Sequence, residues 1–199
     1  MQEEFSVIIL ASGLSERMGF PKFLLKYSQS KFFVENIIKC YNELNCNQLI
    51  LVLNSYDLGK FLTLNIELPE NLKLVVNANP EFGRIHSIQK GIAELVFNKK
   101  IFIHNIDNPF VNKKICIDLL DSLEDFDFIY PIFQGKGGHP ILINGNIVED
   151  ILTTEINDIN FKLFLNSYKK KTLIVNDPNI LTNINTLDDY DAFKQNFCT

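Results

Sequence analysis

Arg17 and Lys22 bring two positive charges to one short stretch, Leu10-Ala11-Ser12-Gly13-Leu14-Ser15-Glu16-Arg17-Met18-Gly19-Phe20-Pro21-Lys22, in a chain whose net charge is -5. Small residues at Ala11, Ser12 and Gly13 let a ligand approach the backbone closely, and exposed amides in such a loop donate to phosphate oxygens. An arginine grips phosphate through two parallel bonds, whereas a lysine acts as a mobile point charge. The stretch is neither a dinucleotide fingerprint nor a P-loop, because the second glycine of Gly-x-Gly and the Gly-Lys-Ser/Thr ending are both absent. Read from these residues alone, a glycine-rich turn with solvated charges is the alternative.

A carboxylate that could face those charges is Asp107, in Asp107-Asn108-Pro109 behind the apolar run Lys100 to His104. An acid at the carboxyl end of a buried strand, followed by a proline turn, suits a hard divalent cation that takes its other ligands from phosphates and water. A helix N-cap is the other reading of Asp-x-Pro. Asn79-Pro80-Glu81-Phe82-Gly83-Arg84-Ile85-His86-Ser87 leads from a strand into a helix, with Gly83 giving backbone freedom near the start. Arg84 and Ser87 would then present polar atoms at the positive helix N-terminus, although Ser87 also reads as an ordinary first-turn serine. Three glycines in Gln134-Gly135-Lys136-Gly137-Gly138-His139-Pro140 make a loop able to approach a second substrate. In Asn183-Ile184-Asn185-Thr186, Thr186 reads as a helix cap and the asparagines as a turn.

The elements that must position these groups alternate. Apolar runs at Phe5 to Leu10, Gln48 to Leu53, Leu72 to Val76, Lys100 to His104 and Phe128 to Ile132 predict buried strands of a sheet covered on both faces. Between them, Phe32, Phe33, Ile37, Ile38, Tyr41 and Leu44 share a helical face, as do Ile85, Ile88, Ile92, Leu95 and Val96, and Ile115, Leu119, Leu120 and Leu123. The order predicts a three-layer α/β/α fold on a mostly parallel twisted sheet. Later come a strand at Pro140 to Ile143, helices near Ile147 to Leu152 and Asn160 to Ser167, a strand at Thr172 to Val175 and a closing helix at Thr186 to Phe197. With no repeat or long linker, residues 1–199 are expected to fold as one domain.

Composition narrows the partners. The chain has 199 residues, 46% of them hydrophobic, and 24 acidic against 19 basic side chains, so no broad positive face is available for a phosphate backbone and nucleic acid is not expected. No run of about 18 apolar residues occurs, and Glu3 and Glu4 stand where a secretory signal needs a basic start, so a soluble cytoplasmic protein without a membrane partner is expected. Cys40, Cys46, Cys116 and Cys198 lack metal-like spacing and read as free thiols. Arg17 and Arg84 are the two arginines among the 19 basic residues, which marks them as places where a planar, permanent charge is needed.

The segment from Leu10 to Lys22 resembles the signature of the MobA-like nucleotidyltransferases, which include the molybdenum-cofactor guanylyl- and cytidylyltransferases and, more distantly, the sugar-phosphate and erythritol-phosphate enzymes. The Asn-Pro-…-Gly-x-x-x-Ser, Asp-x-Pro and terminal Asn-x-Asn-Thr elements follow in family order, and the likeness runs from residue 5 to residue 190. It implies a Rossmann-like, GT-A-type fold in which Leu10, Ala11, Ser12, Gly13, Ser15, Arg17, Lys22, Asn79, Gly83 and Ser87 bind a nucleoside triphosphate. It further implies Lys22, Arg17 and Asp107 as catalytic residues, and Mg2+ on Asp107 and Asn185, with Asn183 in reserve. Arg84, Gly138 and His139 are the expected acceptor contacts; Arg84 stands where the cofactor enzymes have methionine and is similar to the erythritol-phosphate branch.

The resemblance implies transfer of a nucleoside monophosphate to a small phosphorylated acceptor with release of pyrophosphate. Ser12 and Gly138-His139-Pro140 favour CTP, while Asn183-Ile184-Asn185-Thr186 is similar to the guanylyl branch. Molybdopterin is the expected acceptor, with a partner enzyme receiving the cofactor; a phosphosugar, phosphocholine or other phosphorylated alcohol is the alternative. A catalytically silent nucleotide sensor is the alternative of another class. Sugar transfer would call for an Asp-x-Asp pair where the chain has Asp107-Asn108-Pro109.

Overall fold

A computed structural model of the chain describes residues 4–96, 99–155 and 160–197. The first strand, β1 (Ser6–Ala11), is buried along its whole length, and its side chains alternate between two apolar layers. Val7, Ile9 and Ala11 point into one layer with the helices α1 (Phe33–Asn42) and α4 (Lys113–Ser122) and the closing helix (Leu187–Phe197). Ile8 and Leu10 point into the other with α3 (Gly83–Ile92), α5 (Val148–Thr153) and α6 (Phe161–Leu165). That alternation, with period two, is what a sheet sandwiched between helices demands. The closing helix is α7; α2 (Ser55–Leu62) seats Phe61 in the first layer.

The other strands are β2 (Gln48–Asn54), β3 (Leu72–Asn77), β4 (Lys100–Asn105), β5 (Phe128–Phe133), β6 (Lys136–Gly137), β7 (Ile141–Asn144) and β8 (Lys170–Ile174). They form one sheet in the order β3-β2-β1-β4-β7-β5-β6, with β8 paired to β5. Strands β3, β2, β1 and β4 run parallel, as do β5 and β8, while β7 is antiparallel to both β4 and β5. The chain lays β2 and β3 to one side of β1 and then crosses to place β4 on the other. A crevice therefore opens beyond the carboxyl ends of β1 and β4, the switch point where open α/β sheets bind ligands.

Three expectations need correction. Strands buried on both faces describe β1 and most of β2 and β4, but β3 is an edge strand with Lys73 and Val76 exposed, and β5 is only half-buried at Tyr130 and Ile132. An edge lacks a neighbour to cover it. The second helical face stops at Ile92, where the backbone turns, and Val96 lies 77% exposed beyond the helix. α2 was not anticipated; its start is fixed by Asn54, whose side chain accepts from the Asp57 amide at 2.9 Å. Cys40, Cys46 and Cys116 are free thiols, whereas Cys198 lies outside the described residues. Among the described residues no helix is long and apolar enough to cross a membrane.

Candidate active site

The loop after β1 hangs between buried anchors. Ala11 and Ser12 are buried, as are Met18 and Phe23 beyond them, while Gly13, Leu14, Glu16 and Arg17 between these anchors are exposed. Ser15 adopts a left-handed conformation (φ 53°) and its carbonyl accepts from the amides of Met18 and Gly19 at 2.9 and 3.0 Å, which closes the turn. The loop thereby leaves Gly13, Leu14, Ser15, Glu16 and Arg17 lining one wall of a cavity of ≈ 560 Å³, and Lys22 reaches the same space from the start of a short 3-10 turn.

The opposite wall is Asn105, Ile106 and Asp107. The Ile106 amide extends the β1–β4 ladder by donating to Leu10 O at 3.1 Å, and the carbonyl of Asp107 accepts from Ile184 N at 2.9 Å. Asn108 is fully buried and fastens the turn: its Nδ2 donates to the carbonyls of Asn179 and Ile180, both at 3.2 Å, and its Oδ1 accepts from Phe110 N at 3.0 Å. The N-cap reading of Asp107 is excluded, since α4 begins at Lys113 and is capped by Asn112.

Lys22 joins the two walls. Its Nζ donates to Asn185 Oδ1 at 2.6 Å and stands 3.7 Å from Asp107 Oδ2. Asn185 is brought here by the cap of α7, in which Asp189 Oδ2 accepts from the amides of Asn185 and Thr186 and the Asp189 amide donates to Thr186 Oγ1. Thr186 is therefore the cap, and Asn185 faces the cavity at the same time. Asn183 does not: its side chain donates to Leu181 O and lines a separate shallow recess beside Phe193.

Burial dominates the electrostatics. It raises the Asp107 pKa above the usual carboxylate range, against the attraction of Lys22 and Arg84. It lowers that of Lys22, against the attraction of Asp107. Asp107 Oδ1 is buried without any hydrogen-bond partner. An orphaned carboxylate oxygen near an amide oxygen is a donor set suited to a hard divalent cation that completes its shell with phosphate and water. No group of three or more His, Cys, Asp or Glu side chains able to cage a metal occurs among the described residues, which fits a shared rather than an all-protein site.

A recess of ≈ 210 Å³ leads off the cavity past Leu10, Gly13, Pro80 and Gly83, with Ser12 and Ser87 on its floor. The two hydroxyls bond each other at 2.7 Å, Asn77 Nδ2 donates to Ser87 at 3.0 Å, and Asn54 Nδ2 donates to Ser12 O at 3.3 Å. Gly83 has φ 82°, so the backbone freedom expected of it is used. Asn54, Asn77 and Asn105 end β2, β3 and β4; sequence reasoning missed them, although an asparagine closing each apolar run was visible. Ala11 faces the core, and the Asn79 side chain turns toward Glu81 at 3.5 Å, so neither lines these spaces.

Arg84 lines the cavity, the recess and a third space of ≈ 440 Å³ that also contains Gly138 and His139. His139 Nε2 lies 3.3 Å from the Asn105 amide nitrogen, its Nδ1 is buried without a partner, and burial, with Arg84 nearby, lowers its pKa to about 3. Gly138 lies against Ile180, where an added Cβ would stand 2.5 Å from the carbonyl oxygen.

The model of the MobA-like NTP transferase domain matches residues 7–170. The "Probable molybdenum cofactor guanylyltransferase" of Clostridium perfringens (strain 13 / Type A) is 26% identical over 198 residues, covering 94% of each chain. The "Molybdenum cofactor cytidylyltransferase" of Escherichia coli (strain K12) is also 26% identical, over 96% of this chain and 95% of that one. Among solved structures, Rv0371c from Mycobacterium tuberculosis H37Rv superposes with a TM-score of 0.83 at 20% identity, covering 98% of this chain and 99% of the other.

Proposed function

Because the chain belongs to the MobA-like NTP transferase family, and is a nucleotidyltransferase related to the molybdenum cofactor enzymes, we propose that it transfers CMP from CTP, in a Mg2+-dependent reaction, to the phosphate of a molybdopterin acceptor. An acceptor phosphate oxygen attacks the α-phosphorus; a new P–O bond forms as the bond to the bridging oxygen of the β-phosphate breaks, and pyrophosphate leaves. No covalent enzyme intermediate is needed. The loop amides around Gly13 and Ser15, together with Arg17, hold the triphosphate; Lys22 neutralises charge as it develops; Ser12, Gly83 and Ser87 face the base. Asp107 and Asn185 would hold the ion, which would supply Lewis-acid neutralisation of phosphate charge. A partner enzyme receiving the product belongs to the same reading.

The observation that carries it is Lys22, whose ammonium engages both Asp107 and Asn185 in a cavity walled by the Arg17 loop. CTP is favoured by the recess, narrowed by the buried Ser12 side chain and its bond to Ser87. GTP is the second reading, supported by the likeness to proteins named guanylyltransferases. A thermal-shift panel of CTP, GTP, UTP and ATP with Mg2+ tests the base: the preferred nucleotide at a hundred times its Kd stabilises by about 2.7 kcal/mol. Stabilisation by GTP alone replaces CTP; no stabilisation by any of the four overturns the site.

A further inference from the structure

Lys22 engages the same two side chains that would hold a divalent ion. Its Nζ donates to Asn185 Oδ1 at 2.6 Å and lies 3.7 Å from Asp107 Oδ2, which is beyond a normal hydrogen bond. The Asp107 carboxylate is thus neutralised without being satisfied, and its Oδ1 is buried with no partner. An ion ligated to Asn185 Oδ1 at about 2.1 Å would share that oxygen with the ammonium and set two cations within about 5 Å of each other. Charges of one sign that close exclude each other unless an anion stands between them.

The oxygens are fixed, while the ammonium is not. Asp107 O accepts from Ile184 N at 2.9 Å, and buried Asn108 pins the turn behind it. The amides of Asn185 and Thr186 both donate to Asp189 Oδ2. The backbone of Lys22 is itself held between buried Pro21 and Phe23, and its carbonyl accepts from Leu25 N at 3.0 Å. What can move is the flexible four-carbon stem that carries the charge. Residues Gly13 to Arg17 line the same cavity of ≈ 560 Å³, so the stem can turn from the carboxylate to phosphates bound along that loop with no change of backbone.

We propose that Lys22 gates the ion site: in the nucleotide-free protein its ammonium bars a divalent ion from Asp107 and Asn185, and a bound triphosphate draws the ammonium off them. The gate rests on the transferase reading and deepens it by setting the order of binding. The triphosphate is the anion that lets two cations share the cavity. Lys22 then lies against phosphate oxygens, and Asp107 and Asn185 are released as ligands. Ion and nucleotide are thereby coupled, and the coupling is reciprocal: each strengthens the binding of the other by the same factor.

Mn2+ is the probe, titrated into the protein without nucleotide and followed by the paramagnetic resonance signal of the free ion. Lys22→Met, which keeps the stem and removes the charge, should bind Mn2+ at least about tenfold more tightly than the wild type. Lys22→Arg, which keeps a charge, should bind it as weakly as the wild type. Asp107→Asn added to Lys22→Met should abolish the gain, which places the ion on that carboxylate. A site that is merely loosened loses affinity, so a gain separates a gate from a structural lysine. Should Lys22→Met melt too low to titrate, Lys22→Gln serves the same comparison. Equal Mn2+ affinity in the wild type and the uncharged variants, tight binding by Lys22→Arg, or a gain that survives Asp107→Asn overturns the gate. Stabilisation of the wild type by nucleotide and Mg2+ is read on the same samples. If it is present while the gain fails, only the gate falls; if it is absent, the transferase reading falls with it.

Discussion

Lys22 is held by two partners at once, so its long side chain is already ordered where charge would develop during transfer. A group whose charge matters most in the transition state affects turnover more than binding. Lys22→Ala should lower kcat by about 100- to 1000-fold while the nucleotide Kd changes by less than about tenfold. Pyrophosphate release and nucleotide titration measure the two; equal losses would contradict the role. The same pair sets the pH profile. Burial raises the Asp107 pKa, and an ion needs the carboxylate charged, so activity should fall on acidification from a pH above the ordinary carboxylate range. Burial lowers the Lys22 pKa, so the alkaline limb should lie below that of a free lysine, and Lys22→Arg should move it upward. A profile flat through both limbs would rule out this assignment.

Among the elements, the segment before α7 does more than its sequence suggests. The carbonyls of Asn179 and Ile180 receive the buried Asn108 amide, Ile184 N binds Asp107 O, and Ile180 O accepts from His139 N. One irregular stretch thus sets the Asp107 turn, Asn185 and the cis His139-Pro140 bend together. Gly138 packs into it so closely that Gly138→Ala should destabilise the fold by about 1–3 kcal/mol, a fall in Tm of roughly 2–4 °C per kcal/mol. Calorimetric melting checks it, and an unchanged Tm would show that Ile180 can yield. The parallel strands, their helices and the Lys22–Asp107 encounter were legible beforehand, because apolar runs and a long motif carry them locally. α2, the exposed face of β3 and the roles of Asn54, Asn77, Asn105 and Asn108 were not. Their meaning depends on strand order and on contacts across as many as 72 positions of sequence, which periodicity does not encode.

At the scale of the whole molecule, acid stability turns on histidines kept neutral inside. His104 is fully buried between the two layers: its Nε2 bonds Asn108 O at 2.8 Å and its Nδ1 bonds the hydroxyl of buried Tyr41 at 3.0 Å. The Asn108 carbonyl fixes Nε2 as the donor, so Nδ1 of the neutral ring accepts from the Tyr41 hydroxyl. Burial accordingly lowers the pKa to about 4. The unfolded chain takes up a proton near 6.5, so this stabilisation is complete above that pH and is lost as pH falls toward 4. The loss from His104 alone amounts to roughly 3 kcal/mol. His139, lowered to about 3, extends the loss in the same direction, whereas Asp107, with its raised pKa, opposes it in the lower part of the window. Between pH 7 and pH 4.5 the melting temperature should therefore fall by on the order of 10–20 °C. His104→Gln keeps a donor and an acceptor at that place but cannot titrate, so its melting temperature should start lower and vary less with pH. Parallel curves for the two proteins would show that the acid sensitivity lies elsewhere.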